Sequence, residues 1–557
     1  TGTAVGDKAE AETVVNTLKA EKTEAKTCAF GSVKTLIGHT KGSAGISGLI
    51  KVAMALHHRV LPPHHGVESP LTSIAEKDSP VYLLKEARPW VRCQEYPRRG
   101  AVSAFGFGGT NFHAVLEEYT GQYLASELVS GSNGWPLELF LLSGKDEPTL
   151  IRRIDGLLKA IKEGAQPRLR DLAFSCASEA GASSGKCDAS VAIIVSSLEE
   201  LAAGLEEAKA GFEGDRKSPL PPNIIAGKQK YTNEDVAFLF PGQGAQYPDM
   251  GREVALYFTE LQEVVGQADL ILKEKLPKLL SRYIFPPSAY DPDTENAYRM
   301  QLTDTQVAQP AIGAVSAGML DILKRLGLVP KMTGGHSYGE YTALYAAGVL
   351  SLEDFLLLSV IRGRLMAEAA TNSPGSMAAV KMEAGKLAEY IDSEREDVVI
   401  ANYNAPQQSV VSGTRSSVGA LISVLEKDNI PVSILPVAGA FHSSLVSGAQ
   451  RPLAKAIQEA EFSSPGLPVY SNAAGRLYDQ DIGNIKAQLS EHILKPVEFV
   501  DQIEAMYAAG ARVFIEVGPR KILCNLVDQT LEDREHLSIP LDGNGHGLRG
   551  LLIALGT

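Results

Sequence analysis

The rhythm of hydrophobic and polar positions divides the chain into three blocks, 1–118, 119–233 and 234–545, with a short tail over 546–557. In the first block, residues 8–20 predict an amphipathic helix and Ala44–His58 a second helix rich in small and apolar residues. Ser32–Ile37 reads as a short strand. AVSAFGFGGTNFHAVLEE (101–118) reads as two β-rich runs joined by a glycine turn, the signal of a hairpin. The second block carries strand-like runs at 137–142 and 191–196, separated by helical patterns such as TLIRRIDGLLKAI. It predicts a small α/β module, punctuated at both ends by Ser-, Pro- and Gly-rich stretches (129–136 and 218–227).

The third block opens on an apolar run, Val236–Phe240, that ends in PGQGAQ, and helical patterns follow at 305–326 and 352–370. Residues 376–438 give strand, helix, strand, strand, helix, strand, which is the ferredoxin-like order. They predict a subdomain over about 371–438, inserted in a larger α/β domain. The block 1–118 starts abruptly inside a glycine-rich motif, which suggests a piece of a longer protein.

Composition narrows the class. With 44% hydrophobic residues and ordinary glycine and proline counts (52 and 30), neither disorder nor a low-complexity fibre is expected. No run of 18 uncharged apolar residues is long enough to span a bilayer. The five cysteines (Cys28, Cys93, Cys176, Cys187 and Cys524) are scattered without CxxC spacing, which suits a reducing, cytoplasmic setting. The net charge of −13 argues against nucleic acid or an anionic membrane as partner. The first two blocks nearly balance at +2 and −2, so the acidity belongs to residues 234–557.

The candidate chemistry lies in that acidic block. In Gly334-Gly335-His336-Ser337-Tyr338-Gly339-Glu340 an apolar approach, a serine between glycines and a small-residue helix describe a strand-turn-helix nucleophile elbow. The helix start would set N–H groups and a positive dipole end beside any oxyanion formed at Ser337. The same residues also suit a plain Gly-Ser turn capping a helix. Pro241-Gly242-Gln243-Gly244 could supply a further N–H or be only a turn. Arg362, among apolar neighbours, either lies on a helix surface or is buried to hold a carboxylate bidentately. His442, where a strand yields to a helix, is structural or else the general base for Ser337.

PGQGAQ, GHSYGE, the arginine of VIRGRLM, NYNAP at 402–406, AFH and IEVGPRK at 515–521 stand in the order of one family. Over about 235–545 the chain resembles the acyltransferase domain of type I polyketide synthases and the related malonyl-CoA:acyl-carrier-protein transacylases. SYGE and AFH resemble the iterative synthases in particular. The resemblance implies an α/β-hydrolase-like core with an inserted ferredoxin-like subdomain. It implies Ser337 as acylated nucleophile, His442 as its base, and the N–H groups of Gln243 and Tyr338 as oxyanion hole. Arg362 would pair with the extender's free carboxylate, and His336, Asn404, Gln243 and Phe441 would line the substrate site. A backbone carbonyl near His492 in HILKPVEF would orient His442. Phe441 before the histidine implies malonyl rather than methylmalonyl, although Gly439 and Tyr338 depart from the malonyl pattern. The implied partners are malonyl-CoA, an acyl carrier protein with its phosphopantetheine arm, and the remaining domains of a parent synthase. No permanently bound cofactor or metal is implied.

TGTAVGDKAEAE, GSVKTLIGHTKGSAGISGLIKVAMAL, LPPHH and AFGFGGTNFHAVLE resemble the C-terminal part of a β-ketoacyl synthase of thiolase fold. Lys34 and His39 match its catalytic lysine and second histidine. The matching cysteine is not in this sequence, so the block is expected to be an inactive fragment, with an exposed edge, packed against the linker module. His57, His58, His64 and His65 invite a metal reading, but a helix end and proline loop is a poor setting for it. Two other functions stay open: a serine hydrolase or thioesterase sharing GxSxG, and a silent docking scaffold. Carrier docking is expected to use a local basic or apolar patch, near the first block (Arg92, Arg98 and Arg99) or on the linker, since both partners are acidic overall.

Overall fold

The computed structural model describes residues 2–92, 95–106, 109–121, 134–182, 189–214, 219–228, 230–391, 397–437, 439–543 and 545–557. Val236–Phe240 is buried at all five positions, as expected of a parallel strand covered on both faces. It pairs in parallel with Met332–Gly335 on one side and Val513–Glu516 on the other. The six-stranded sheet runs Arg476–Leu477, Val469–Ser471, Met332–Gly335, Val236–Phe240, Val513–Glu516, Leu537–Pro540, with only the first antiparallel. The fold is α/β, and the C-terminal ends of its two central strands carry the PGQGAQ and GHSYGE turns.

Two long helices, Thr305–Arg325 and Leu352–Asn372, pack side by side over this sheet. Gly363 allows the close approach, because a Cβ there would come within 2.4 Å of the Thr305 carbonyl oxygen. That contact holds the neighbouring Arg362 at the buried face of its helix.

The inserted subdomain has the expected ferredoxin-like sheet, ordered Val432–Ile434, Gly375–Val380, Gln408–Thr414, Val399–Ala405. These four strands are antiparallel neighbours, and Leu387, Val418, Leu421 and Leu425 from two helices close one face. A fifth strand, Val497–Glu498, adds in parallel beside Val399–Ala405. It follows HILKP directly, so it fastens that turn to the subdomain.

The second block forms an antiparallel sheet of Glu138–Gly144, Ala189–Val195 and Ile224–Gly227, under helices capped by Asp146 and Ser197. The helix Gly547–Gly556 returns to this sheet and buries Leu548, Leu551 and Leu552.

The first block corrects two expectations. Lys34–Ile37 is a turn of helix rather than a strand. The Ser32 hydroxyl accepts from the Lys34 N–H at its start, and Gly38 ends it at φ 74°. Among the described residues the block also packs on the third block rather than on the linker. Arg88 grips Asp249 with both guanidinium nitrogens, Arg59 reaches Glu263, and Lys85 meets Ser288 and Ala289. Gly266 lets the Arg92 carbonyl come close, since a Cβ there would lie 2.4 Å from that oxygen. Of the basic residues there, Arg98 is buried against Glu118 and Gln262, whereas Arg99 is exposed in a surface pair with Glu117 at 2.7 Å.

The hairpin of Arg99–Phe105 and Asn111–Glu117 is confirmed, with Phe112 and Val115 exposed on it. Among the described residues, no helix is long and apolar enough to cross a membrane. Cys28, Cys176 and Cys524 are free thiols, whereas Cys93 and Cys187 lie outside the described residues.

Candidate active site

The strand Met332–Gly335 ends in a turn so tight that side chains have no room beside it. A Cβ on Gly335 would lie 2.1 Å from the Gly339 carbonyl carbon, and one on Gly339 would lie 1.9 Å from the Phe240 carbonyl oxygen. Ser337 itself sits at φ +49°, a left-handed conformation a non-glycine residue adopts only under constraint. Gly339→Ala is therefore expected to cost about 3 kcal/mol or more, the upper range of overpacking, measurable as a lower denaturant midpoint.

His442 is held in the same left-handed region, at φ +56°. Its Nε2 lies 2.8 Å from Ser337 Oγ, and its Nδ1 lies 2.8 Å from the Lys495 carbonyl oxygen. A carbonyl only accepts, so Nδ1 carries the proton and the Nε2 lone pair faces the serine hydroxyl. The orienting carbonyl thus belongs to Lys495, three residues beyond His492 in the expected segment. Burial, and then the charge of Arg362, push the His442 pKa down from 6.5 to about 3, so the imidazole is a neutral base.

Arg362 is 1% exposed, and its Nη2 donates to Ser337 Oγ at 3.5 Å. Its guanidinium lies over the Tyr341 ring at 5.6 Å. Nε has no hydrogen-bond partner among the described residues, and the carboxylate that acts on the guanidinium through its charge is that of buried Glu340. The Tyr341 ring acts on that charge as well, and the Nε–H is left open beside the serine.

The remaining expected residues converge on the same place. The backbone N–H groups of Gln243 and Tyr338 find no acceptor among the described residues, and a Cβ on Gly242 would lie 2.3 Å from the His336 carbonyl oxygen. Gln243 is anchored through its side chain to Thr305 Oγ1 at 3.1 Å. His336 Nε2 donates to Asn404 Oδ1 at 2.8 Å, which joins the elbow to the subdomain. The Tyr338 side chain turns into the core, where its hydroxyl donates to Ser359 Oγ at 2.7 Å. Phe441 is buried before His442. A Cβ on Gly439 would lie 2.6 Å from Ala370 Cβ, so the packing here excludes a histidine at 439.

The family of acyl transferase domains matches residues 237–543, more than half of the sequence. The chain belongs to that family. The C-terminal domain of β-ketoacyl synthases matches residues 1–68, so the acyltransferase is preceded by a ketosynthase fragment. Across 96% of its length it is 31% identical to a polyunsaturated fatty acid synthase polypeptide of a Thraustochytrium species, of which it spans only 20%. The acyltransferase domain from the second module of the salinomycin polyketide synthase matches 76% of this chain and 92% of its own, at 26% identity and TM-score 0.58. The malonyl CoA-acyl carrier protein transacylase of Clostridium perfringens matches 58% of this chain and 96% of its own, at 30% identity and TM-score 0.51.

In this acyltransferase Lys34 and His39 take no part in the site. His39 is exposed, and its Nδ1 accepts from the Lys41 N–H. Of the four clustered histidines, His64 accepts from the Ser32 N–H, and His57 and His58 pack edge to face. Among the described residues no group of three metal-ligating side chains converges.

Behind the elbow lies a polar cluster that sequence motifs did not indicate. Glu340 is fully buried and accepts from Ser471 Oγ at 3.1 Å, from the Asn472 N–H at 2.8 Å, and from Asn472 Nδ2 and the Tyr478 hydroxyl. Burial raises its pKa to about 7 against the opposing pull of these donors. Glu340 lies within GHSYGE, but its partners are more than 130 positions away along the chain.

Proposed function

We propose that this acyltransferase takes a malonyl unit from malonyl-CoA onto Ser337 and passes it to the phosphopantetheine thiol of an acyl carrier protein, within a larger synthase. The buried guanidinium of Arg362, 3.5 Å from the serine oxygen and with its Nε unpartnered, carries this reading. It selects an acyl group that ends in a carboxylate.

In the first half-reaction Ser337 Oγ attacks the thioester carbonyl while His442 Nε2 takes the hydroxyl proton. The N–H groups of Gln243 and Tyr338 receive the oxyanion. Collapse breaks the C–S bond, and His442 returns the proton to the departing CoA sulfur. In the second half-reaction His442 deprotonates the incoming carrier thiol, whose sulfur attacks the serine ester. The ester C–O bond then breaks, and the proton goes back to Ser337. The Arg362 ion pair holds the malonyl tail still in both halves, which supplies orientation rather than bond chemistry.

The hydrolase alternative lacks its third member here. A carbonyl, and not a carboxylate, stands behind His442. Intact mass after exposure to malonyl-CoA is the test. One malonyl adduct is expected, stable against water, transferred on adding a pantetheinylated carrier, and absent in Ser337→Ala. Rapid loss of the adduct to water would mark a hydrolase, and no adduct at all a silent scaffold.

A further inference from the structure

The nucleophile and its base sit on separate segments, and one buried side chain touches the supports of both. Asn472 Nδ2 donates to the Gly335 carbonyl at 2.8 Å, at the end of the strand that presents Ser337. The same amide nitrogen donates to Glu340, on the helix after the elbow. Its Oδ1 accepts from His492 Nε2 at 3.1 Å. Asn472 and His492 are both fully buried.

His492 begins the turn whose Lys495 carbonyl holds His442 Nδ1, and the Lys495 N–H closes that turn onto the His492 carbonyl at 3.3 Å. The His492 ring also meets the His442 ring edge to face, with centroids 5.6 Å apart. The Asn472 carbonyl in turn accepts from the Glu498 N–H, on the strand just after the turn. A continuous hydrogen-bonded path therefore runs from the Ser337 strand through Asn472 and His492 to the carbonyl that orients the base.

We propose that Asn472 and His492 are positioning residues that fix the Ser337–His442 register. This rests on the acyltransfer reading above. Asn472 sets the elbow and the orienting turn at one mutual distance. With His492 neutral and Nε2–H donating to Asn472, the Lys495 carbonyl is kept against Nδ1 and the reactive Nε2 faces Ser337 Oγ. Without the link the turn can drift while substrate binding, which depends on Arg362, is unaffected.

Rapid-quench mass measurement of Ser337 malonylation in the full chain, across malonyl-CoA concentrations, tests this. His492→Leu is expected to acylate about 100-fold more slowly at an unchanged half-saturating concentration, the order of loss a 1 Å misplacement brings. His492→Gln, whose side-chain amide can still donate to Asn472 Oδ1, is expected to recover most of the rate. Asn472→Ala cuts the link from the other side, and provides the same comparison if His492→Leu does not fold. A His492→Leu rate equal to wild type, a loss that appears only as weaker half-saturation, or a Gln variant no better than Leu overturns the proposal. Wild-type chain that takes no malonyl group overturns the acyltransfer reading itself, which separates the two failures.

Discussion

Arg362→Ala is expected to lower acylation by malonyl-CoA by about 10²-fold or more and to leave acetyl-CoA no worse a donor than before. The magnitude follows from removing one partner of a desolvated charge pair, which costs about 2–5 kcal/mol, at 1.4 kcal/mol per tenfold. Arg362 is 1% exposed and its Nε is unpartnered, and the Glu340 carboxylate that feels its charge is held by Ser471, Asn472 and Tyr478 as well. Acetyl lacks the carboxylate and gains nothing from the guanidinium, so donor preference should shift towards acetyl. Arg362→Lys should recover only part of the effect, because a point charge cannot reproduce the planar two-pronged contact. Parallel intact-mass time courses with the two thioesters decide the matter. An unchanged malonyl-to-acetyl ratio would remove the basis for assigning a dicarboxylic extender.

The second large effect concerns the base. His442→Ala is expected to slow acylation by about 10²- to 10⁴-fold, the usual contribution of a positioned proton acceptor. The pH dependence of the wild-type chain tests the cause more closely. Burial and Arg362 hold the imidazole near 3, below its ordinary 6.5, so the free-base form persists as pH falls and is lost only around the lower value. The second-order rate of acylation should stay level from pH 8 to pH 5. A histidine titrating at 6.5 would instead lose roughly 30-fold by pH 5. A midpoint near 6.5 in the wild-type profile would mean that water reaches the ring.

Ser337, His442 and Arg362 each sit in a short motif, but the residues alone left each open to a structural role, and it was the order of the motifs, through the family resemblance, that singled them out. A serine between glycines, a histidine at a strand end and an arginine in an apolar helix all report only on their own neighbourhood. The ferredoxin-like insert was legible directly, since its strands and helices alternate in plain order. Asn472, Tyr478 and His492 were not, because their roles depend on three distant segments meeting at Glu340 and Gly335. Lys495 acts through its carbonyl, which no side chain advertises. The strand expected at Ser32–Ile37 failed because a hydroxyl and a glycine closed a helical turn there. The placement of the first block depended on surface charges, and Arg98, expected to be available to a partner, is spent on Glu118.

The linker residues Leu137 and Ile194 belong to the same apolar cluster as the acyltransferase core, together with Leu548, Leu551 and Leu552 of the returning helix. A boundary drawn through this cluster would cut a single solvent-excluded volume in two and leave leucine side chains wet on both halves. A unit cut to keep that volume whole therefore begins before Leu137 and ends after Leu552, wherever the chemistry itself is housed.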